Sequence, residues 1–305
     1  MSKNTSIGSY MAIFNSKFVI MKLIIYYFIF HIFCSFDSVI LEKNELTARQ
    51  VFDKMVIATD AAQKMTYRFK ALERFGSRQQ ITQAYVKLQC KPYKVYMKLS
   101  LPVEDNGVEL LYVPSLNKKA IIHPNGFPFI TVSLDPNHEL LRKKSHHSVG
   151  EAGFDYIISV LKNNIGKDEN LFDKSVKLDG TEMFDAKICY KMIVTSDDYK
   201  ILNYTGLAGE TILSIAKKKY LPEHKIMELN NYKDINETIA GRKIKIPSHY
   251  AKEAILYIDK NTFLPLVNIN KDEYGVFQKY EIYDININPS FANDEFSEDC
   301  NSYGF

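Results

Sequence analysis

Tryptophan is absent from this chain of 305 residues and cysteine occurs four times. Cys34 falls inside an apolar N-terminal run, which leaves Cys90, Cys189 and Cys300 for the folded part. An odd number with no Cys-x-x-Cys excludes the usual zinc and redox spacings, so a Cys90–Cys189 bridge and buried free thiols are the two readings left. Gly-x-Ser-x-Gly is missing, and no cysteine sits in a Ser/His/Gly-rich context, so no nucleophile motif is present. Charge of one sign is also lacking: Lys plus Arg number 39 against 36 Asp plus Glu, a net +3 spread along the chain. Basic residues do not cluster with aromatics, which argues against nucleic acid as a partner. The abundance of Tyr, Phe, Ile, Lys and Asn is a compositional bias rather than a functional signal.

No apolar run reaches the roughly 20 residues of a spanning helix. Leu23 to Phe36 comes nearest, preceded by Lys17 and Lys22, and its length fits the core of an export signal. Residues 1–38 therefore read as a signal peptide or a retained N-terminal anchor, with membrane attachment through that end as the second outcome. The protein is expected in the periplasm or cell envelope.

The remaining chain alternates two periods. Thr47-Ala-Arg-Gln50 is a capping-box pattern, and Val51, Phe52, Met55 and Ala62 continue it as an amphipathic helix up to Met65. Period two follows: Tyr67, Phe69 and Ala71, then Ala84, Val86 and Leu88, then Tyr93, Val95, Met97, Leu99 and Leu101 form apolar faces of successive strands. Glu109–Val113, Lys119–His123 and Phe129–Leu134 read as further strands. Phe154, Ile157, Ile158 and Leu161 mark a second helix. Strand patterns return at Val176–Leu178, Ala186–Thr195, Ala254–Ile258, Leu264–Asn270 and Val276–Ile287, and the acidic tail to Phe305 is expected along the outside. The order is α+β, a curved antiparallel sheet forming a half-barrel with helices on its concave face.

Residues 199–249 interrupt this order with a unit of their own. Tyr199–Tyr204 has strand composition, Ile212, Ile215 and Ala216 stripe a short helix, Pro222 opens a second, and Ile244 and Ile246 alternate with lysines in a closing strand. The segments Gly209-Glu-Thr-Ile-Leu-Ser-Ile-Ala-Lys-Lys-Lys-Tyr220, Glu228-Leu-Asn-Asn231 and Ile239-Ala-Gly-Arg-Lys-Ile-Lys-Ile-Pro247 make this βααβ insert resemble the LysM family. It departs from that family in having Glu210 where Asp is usual. The resemblance implies binding of peptidoglycan or another N-acetylglucosamine glycan by Gly209, Glu210 and Thr211 on one loop and Asn230 and Asn231 on the other. The bland reading stands beside it: Glu210 and Thr211 cap one helix, and Asn230 and Asn231 stop the next.

The host, residues 39–198 and 250–305, contains Val86-Lys-Leu-Gln-Cys-Lys-Pro-Tyr-Lys-Val-Tyr-Met97, Glu109-Leu-Leu-Tyr-Val113, His123-Pro-Asn-Gly-Phe-Pro128, Leu134-Asp-Pro136, Gly153-Phe-Asp-Tyr156, Tyr257-Ile-Asp-Lys260 and Tyr280-Glu-Ile-Tyr283. In these stretches it resembles the lipoprotein-carrier superfold of the LolA/LolB type, and more closely the DUF1571 family of envelope proteins of unknown function. The carrier resemblance implies an apolar cavity under a helical lid, able to take a lipid or lipoprotein acyl chain. Tyr67, Phe69, Tyr93, Val95, Met97, Phe154, Ile158 and Tyr283 are the cavity candidates.

His146-His147 is the most metal-like feature, but adjacent histidines point in different directions and no zincin-type helix is completed. No metal, cofactor or catalytic residue is expected. Arg142-Lys-Lys144 reads as a solvated basic edge beside Ser148, one possible cap of the second helix. The function that follows is a non-enzymatic envelope binding protein. A structural or protein-interaction role with a degenerate LysM and a filled core is the alternative, and a glycan-cleaving enzyme is a more remote one.

Overall fold

The computed structural model describes residues 45–165 and 169–305; the expected signal or anchor over residues 1–38 lies outside them. Helix α1, Ala48–Ala61, starts where the capping box predicts: the Gln50 N–H donates to Thr47 Oγ1 at 3.2 Å and the Thr47 N–H to Gln50 Oε1 at 2.9 Å. It buries Val51, Phe52 and Met55, one stripe of a 3.6-residue period.

Eleven strands then build one antiparallel sheet. The first six are β1 Lys64–Phe75, β2 Arg78–Gln89, β3 Lys94–Leu101, β4 Glu109–Tyr112, β5 Ala120–His123 and β6 Val132–Leu134. After the helical segment come β7 Val176–Phe184 and β8 Lys187–Thr195, and after the insert β11 Glu253–Asp259, β12 Pro265–Asp272 and β13 Gly275–Ile287. The order β6-β5-β4-β3-β2-β1-β13-β12-β11-β8-β7 leaves β6 and β7 as opposite edges of an open sheet. Between these consecutive strands the chain has to travel from one edge to the other. It carries α2 Glu139–Arg142, a 3-10 turn at Val149–Glu151, α3 Asp155–Ile165 and α4 Glu169–Ser175 on the way.

One core joins these helices to the alternating strand positions. Phe52 and Met55 of α1, Ile158 and Leu161 of α3 and Phe172 of α4 cluster with Met65, Tyr67, Val86, Leu88, Val95, Leu256 and Leu266. The segment after β13 lies on the outside of the sheet, as its composition predicts, but its aromatics hold it there. Phe291, Phe296, Tyr303 and Phe305 cover Tyr96, Leu111 and Ile121, and the Tyr96 and Tyr303 rings stack at 3.8 Å.

The insert comprises β9 Ile201–Thr205, α5 Ile212–Lys219, α6 Glu223–Asn230 and β10 Lys243–Pro247. β9 and β10 pair only with each other as a two-stranded sheet. Ile212, Ile215, Ala216, Leu221, Ile226, Ile239, Ile244 and Ile246 form a second hydrophobic cluster. The helices stop at Tyr220 and Asn231, both with left-handed backbone (φ 51° and 57°), a conformation Asn tolerates better than most residues. Gly206 is required by a close approach, because a Cβ there would lie 2.0 Å from the Ile239 carbonyl oxygen.

The first turn of α6 is where the insert meets its host. Glu223, His224 and Lys225 are all buried. Glu223 pairs with Arg142, His224 stacks on His146 at 4.5 Å, and Lys225 reaches Asp272 and Glu273, each at 2.9 Å. Arg142 therefore corrects the sequence expectation of a solvated basic edge: its side chain is 2 % exposed, while Lys143 and Lys144 are exposed as expected. The correction has a physical reason in the insert, which brings a buried carboxylate from 81 residues away. Buried charges persist only when paired. Ser148 caps the 3-10 turn rather than α3. Cys90, Cys189 and Cys300 are all free thiols.

Candidate functional site

Strand register sets the chemistry of the face under the crossover. Side chains of a strand alternate between faces and directly opposed residues share one, so pairing defines rows across the sheet. Glu73 opposes Gln80 on one side and Gln278 on the other, and Gln278 opposes Asn270. The next inward row holds Thr82, Ala71, Tyr280 and Asn268. One step further, Ala84, Phe69 and Ile282 make an apolar row, which Leu266 extends on β12. The inner face is thus polar toward one end of its strands and apolar toward the other.

Between this face and the crossover lies a cavity of about 470 Å³, within the roughly 300–1,000 Å³ range of small-molecule sites. Ala84, Val86, Met97, Leu99, Phe154, Leu161 and Leu266 line its apolar part. His147, Glu151, Tyr156, Tyr250, Asn268, Asn270 and Tyr280 line its polar end. A Glu-His-Tyr chain runs through that end: His147 Nδ1 is 3.2 Å from Glu151 Oε2 and its Nε2 is 3.3 Å from the Tyr250 hydroxyl. Tyr250 in turn donates to Gln278 Oε1 at 3.0 Å, as does Asn270 Nδ2 at 3.2 Å. The Tyr156 and Tyr280 rings flank the imidazole at 5.0 and 5.3 Å.

The electrostatics follow from burial against pairing. Burial opposes ionisation of Glu151, yet His147, Arg142 and the Ser148 N–H overcome it and hold the carboxyl at about 2. Burial likewise disfavours charge on His147, and the Glu151 carboxylate outweighs it, so its pKa rises. Glu73 moves the other way, raised by burial although Tyr280 donates to it at 2.7 Å and the His146 N–H at 3.0 Å. Burial lowers both His146 and His224, the latter to about 3. Tyr250 and Tyr280 are pushed well above the usual phenol range, chiefly by burial. Both hydroxyls are engaged as donors, Tyr250 to Gln278 and Tyr280 to Glu73. Among the described residues no group of three or more His, Cys, Asp or Glu side chains is arranged to hold a metal ion.

The cavity brings together four of the eight sequence candidates, Tyr67, Phe69, Met97 and Phe154. Val95 and Ile158 are in the solid core beside it. Tyr93 packs against that core, its hydroxyl donating to the Val149 carbonyl at 2.7 Å. Tyr283 is on the opposite sheet face from Tyr280 and Ile282, against Phe184 at 4.9 Å. Sequence reasoning passed over Asn268, Asn270 and Tyr280 because polar residues in strand patterns read as the wet face, and Tyr250 because it falls between two strands. The i, i+4 spacing of His147 and Glu151 was the available signal.

In the insert, Glu210 accepts from the Tyr204 hydroxyl at 2.6 Å and the Leu207 N–H at 2.9 Å. Thr211 caps α5 by accepting from the Ser214 N–H at 3.1 Å. Asn230 Nδ2 donates to the Ile226 and Lys245 carbonyls, and its Oδ1 accepts from the Lys245 N–H at 2.8 Å. Asn231 ends α6, and Gly209 is an exposed turn residue at φ 77°. The 206–211 and 234–240 loops lie side by side, joined by the Thr211–Thr238 bridge and the Ile239 N–H to Glu210 carbonyl bond of 3.0 Å.

Residues 60–203 match the family model DUF1571, protein of unknown function. No curated protein matches the chain. Solved structures similar to it include a LolA superfamily protein from Nitrosomonas europaea (9% identity, 83% of this chain and 99% of that one, TM-score 0.34). Lipoprotein LppX of Mycobacterium tuberculosis is similar at 12% identity over 80% of this chain and 97% of that one, TM-score 0.39. The MucA/MucB complex of Pseudomonas aeruginosa is similar at 9% identity over 81% and 60%, TM-score 0.36.

Proposed function

We propose that the protein is a non-enzymatic binding protein of the cell envelope whose cavity holds an apolar ligand, a lipid or an acyl chain. The observation that carries this reading is the preformed space of about 470 Å³ between sheet and crossover, walled by Met97, Leu99, Phe154 and Leu266. A filled core would have no such space at native packing density. The export-type run at Leu23 to Phe36 supports the envelope. The test is native mass spectrometry of gently extracted full chain: bound amphiphile is expected in the intact protein and absent from Ala84→Phe, which plugs the apolar part. Ligand-free protein in both cases would remove the reading.

A finer part of the proposal concerns the insert, taken as a unit of residues 199–249 nested between 39–198 and 250–305. Its own core and the paired 206–211 and 234–240 loops support a contact with N-acetylglucosamine glycan. The side chains of Glu210, Thr211 and Asn230 are engaged internally, so recognition would fall to Gly209, Asn231 and exposed backbone. Retention on purified sacculi, competed by soluble chitooligosaccharide, is the expected result. Failure to be retained would leave the insert as a purely structural element.

A further inference from the structure

Four bare apolar side chains gather at one end of the host sheet. Strands β1 to β6 are antiparallel neighbours in chain order, so the β1–β2, β3–β4 and β5–β6 connections fall at one end and the β2–β3 and β4–β5 connections at the other. The β5–β6 loop carries Phe127, Phe129 and Ile130, all exposed, Phe127 by 93%. None of the three joins a buried hydrophobic cluster. The β3–β4 turn lies against this loop, since Asn125 Nδ2 donates to the Asn106 carbonyl at 3.2 Å, and it adds the exposed Val103.

Phe129 is held there at a cost. Its backbone is left-handed, at φ 56°, an outlier for a bulky side chain, with its N–H donating to the Gly126 carbonyl at 2.7 Å. Strain of this kind collects at binding sites, and here it gains no packing inside the protein.

The cavity reaches the same end. Pro102 and Asp105 of the β3–β4 turn, Pro124 of the β5–β6 loop and the exposed Leu140 all line it. Exposed apolar patches mark contacts with protein or membrane, and two features favour lipid. The side chains stand on turns, as tips rather than as a groove shaped for a partner, and they border a space with apolar walls. Charge around them is mixed, Glu104, Asp105 and Glu139 among Lys143 and Lys144, so the contact is apolar rather than electrostatic.

We infer that the β5–β6 loop, with Val103 beside it, is a membrane-contact surface: Phe127, Phe129 and Ile130 enter the outer part of a lipid bilayer and set the cavity's rim against it. The inference goes beyond the amphiphile reading of the cavity and leans on it only in preferring lipid to protein.

The absence of tryptophan from the chain makes a local test available. Phe127→Trp places a single indole in the loop, and Leu116→Trp places one in the β4–β5 connection at the opposite end, where Leu116 is 82% exposed. Neither replaced side chain is packed, so both variants keep the core. The apolar run from Leu23 to Phe36 can bring either variant to vesicles by itself, which is why indole emission is read instead of co-sedimentation. When the full chain meets phosphatidylcholine vesicles, the Phe127→Trp emission should shift to the blue and be quenched by brominated acyl chains, while Leu116→Trp keeps its emission. Equal quenching in the two variants would overturn the inference. So would a Phe127→Trp emission that vesicles leave unchanged, a result that leaves the patch to a protein partner. Neither outcome depends on what fills the cavity, so the amphiphile reading stands or falls separately.

Discussion

The His147 imidazole is held between a carboxylate and a phenol, with Nδ1 at 3.2 Å from Glu151 and Nε2 at 3.3 Å from Tyr250. Burial disfavours charge on that ring, and the carboxylate outweighs it and raises its pKa. Replacing Glu151 by Gln should lower the His147 pKa from above its ordinary 6.5 to below it, read from the imidazole proton shifts in an NMR titration. An unchanged value would mean that Glu151 does not set the charge.

Acid should weaken the junction between insert and host. His146 and His224 are stacked and buried, facing Phe75, Arg142, His147 and Phe277, and both are kept neutral. A folded-state pKa below the unfolded 6.5 means that the unfolded chain binds more protons in between. Stability is therefore complete above about pH 6.5 and declines as the pH falls toward 3. Melting temperature measured from pH 7 to pH 4 should drop, and His224→Phe should flatten the decline.

The Arg142–Glu223 pair, with side chains 2 % and 6 % exposed, should behave as a buried ion pair. Arg142→Met leaves a lone buried carboxylate and should cost about 3–5 kcal/mol in urea unfolding. The double substitution Arg142→Met with Glu223→Met should recover most of that loss.

Gly206→Ala should open the insert alone. The new methyl meets the Ile239 carbonyl oxygen at 2.0 Å, so amides of β9 and β10 should exchange faster while those of β1 and β13 keep their protection. Equal acceleration in both sheets would show that insert and host open as one.

Period two and the capping box made α1 and most strands legible in the sequence, because each of those signals is local. Met97 and Phe154 could be named as cavity residues for the same reason. Tyr93, Val95 and Ile158 share that periodicity, and only the path of the crossover decides which inward residues meet a space and which meet a neighbour. Arg142 looked like a surface charge because its partner, Glu223, lies far off in sequence. The polar end was hidden for a related reason: Asn268, Asn270 and Gln278 break the binary pattern on an inward face, and nothing local distinguishes an inward polar residue from an outward one.

The middle of the sheet is a seam between its beginning and its end. β1 bonds on one flank to its immediate successor β2, and on the other to β13, with Met65 opposite Ile287. Until the last strand emerges, the half-built sheet exposes a 12-residue edge whose backbone donors and acceptors are open to any stray strand. Closing such a distant pairing is slow, so a chain truncated before Gly275 should be a target for chaperones and proteases, while one that reaches Ile287 zips its own vulnerable margin shut.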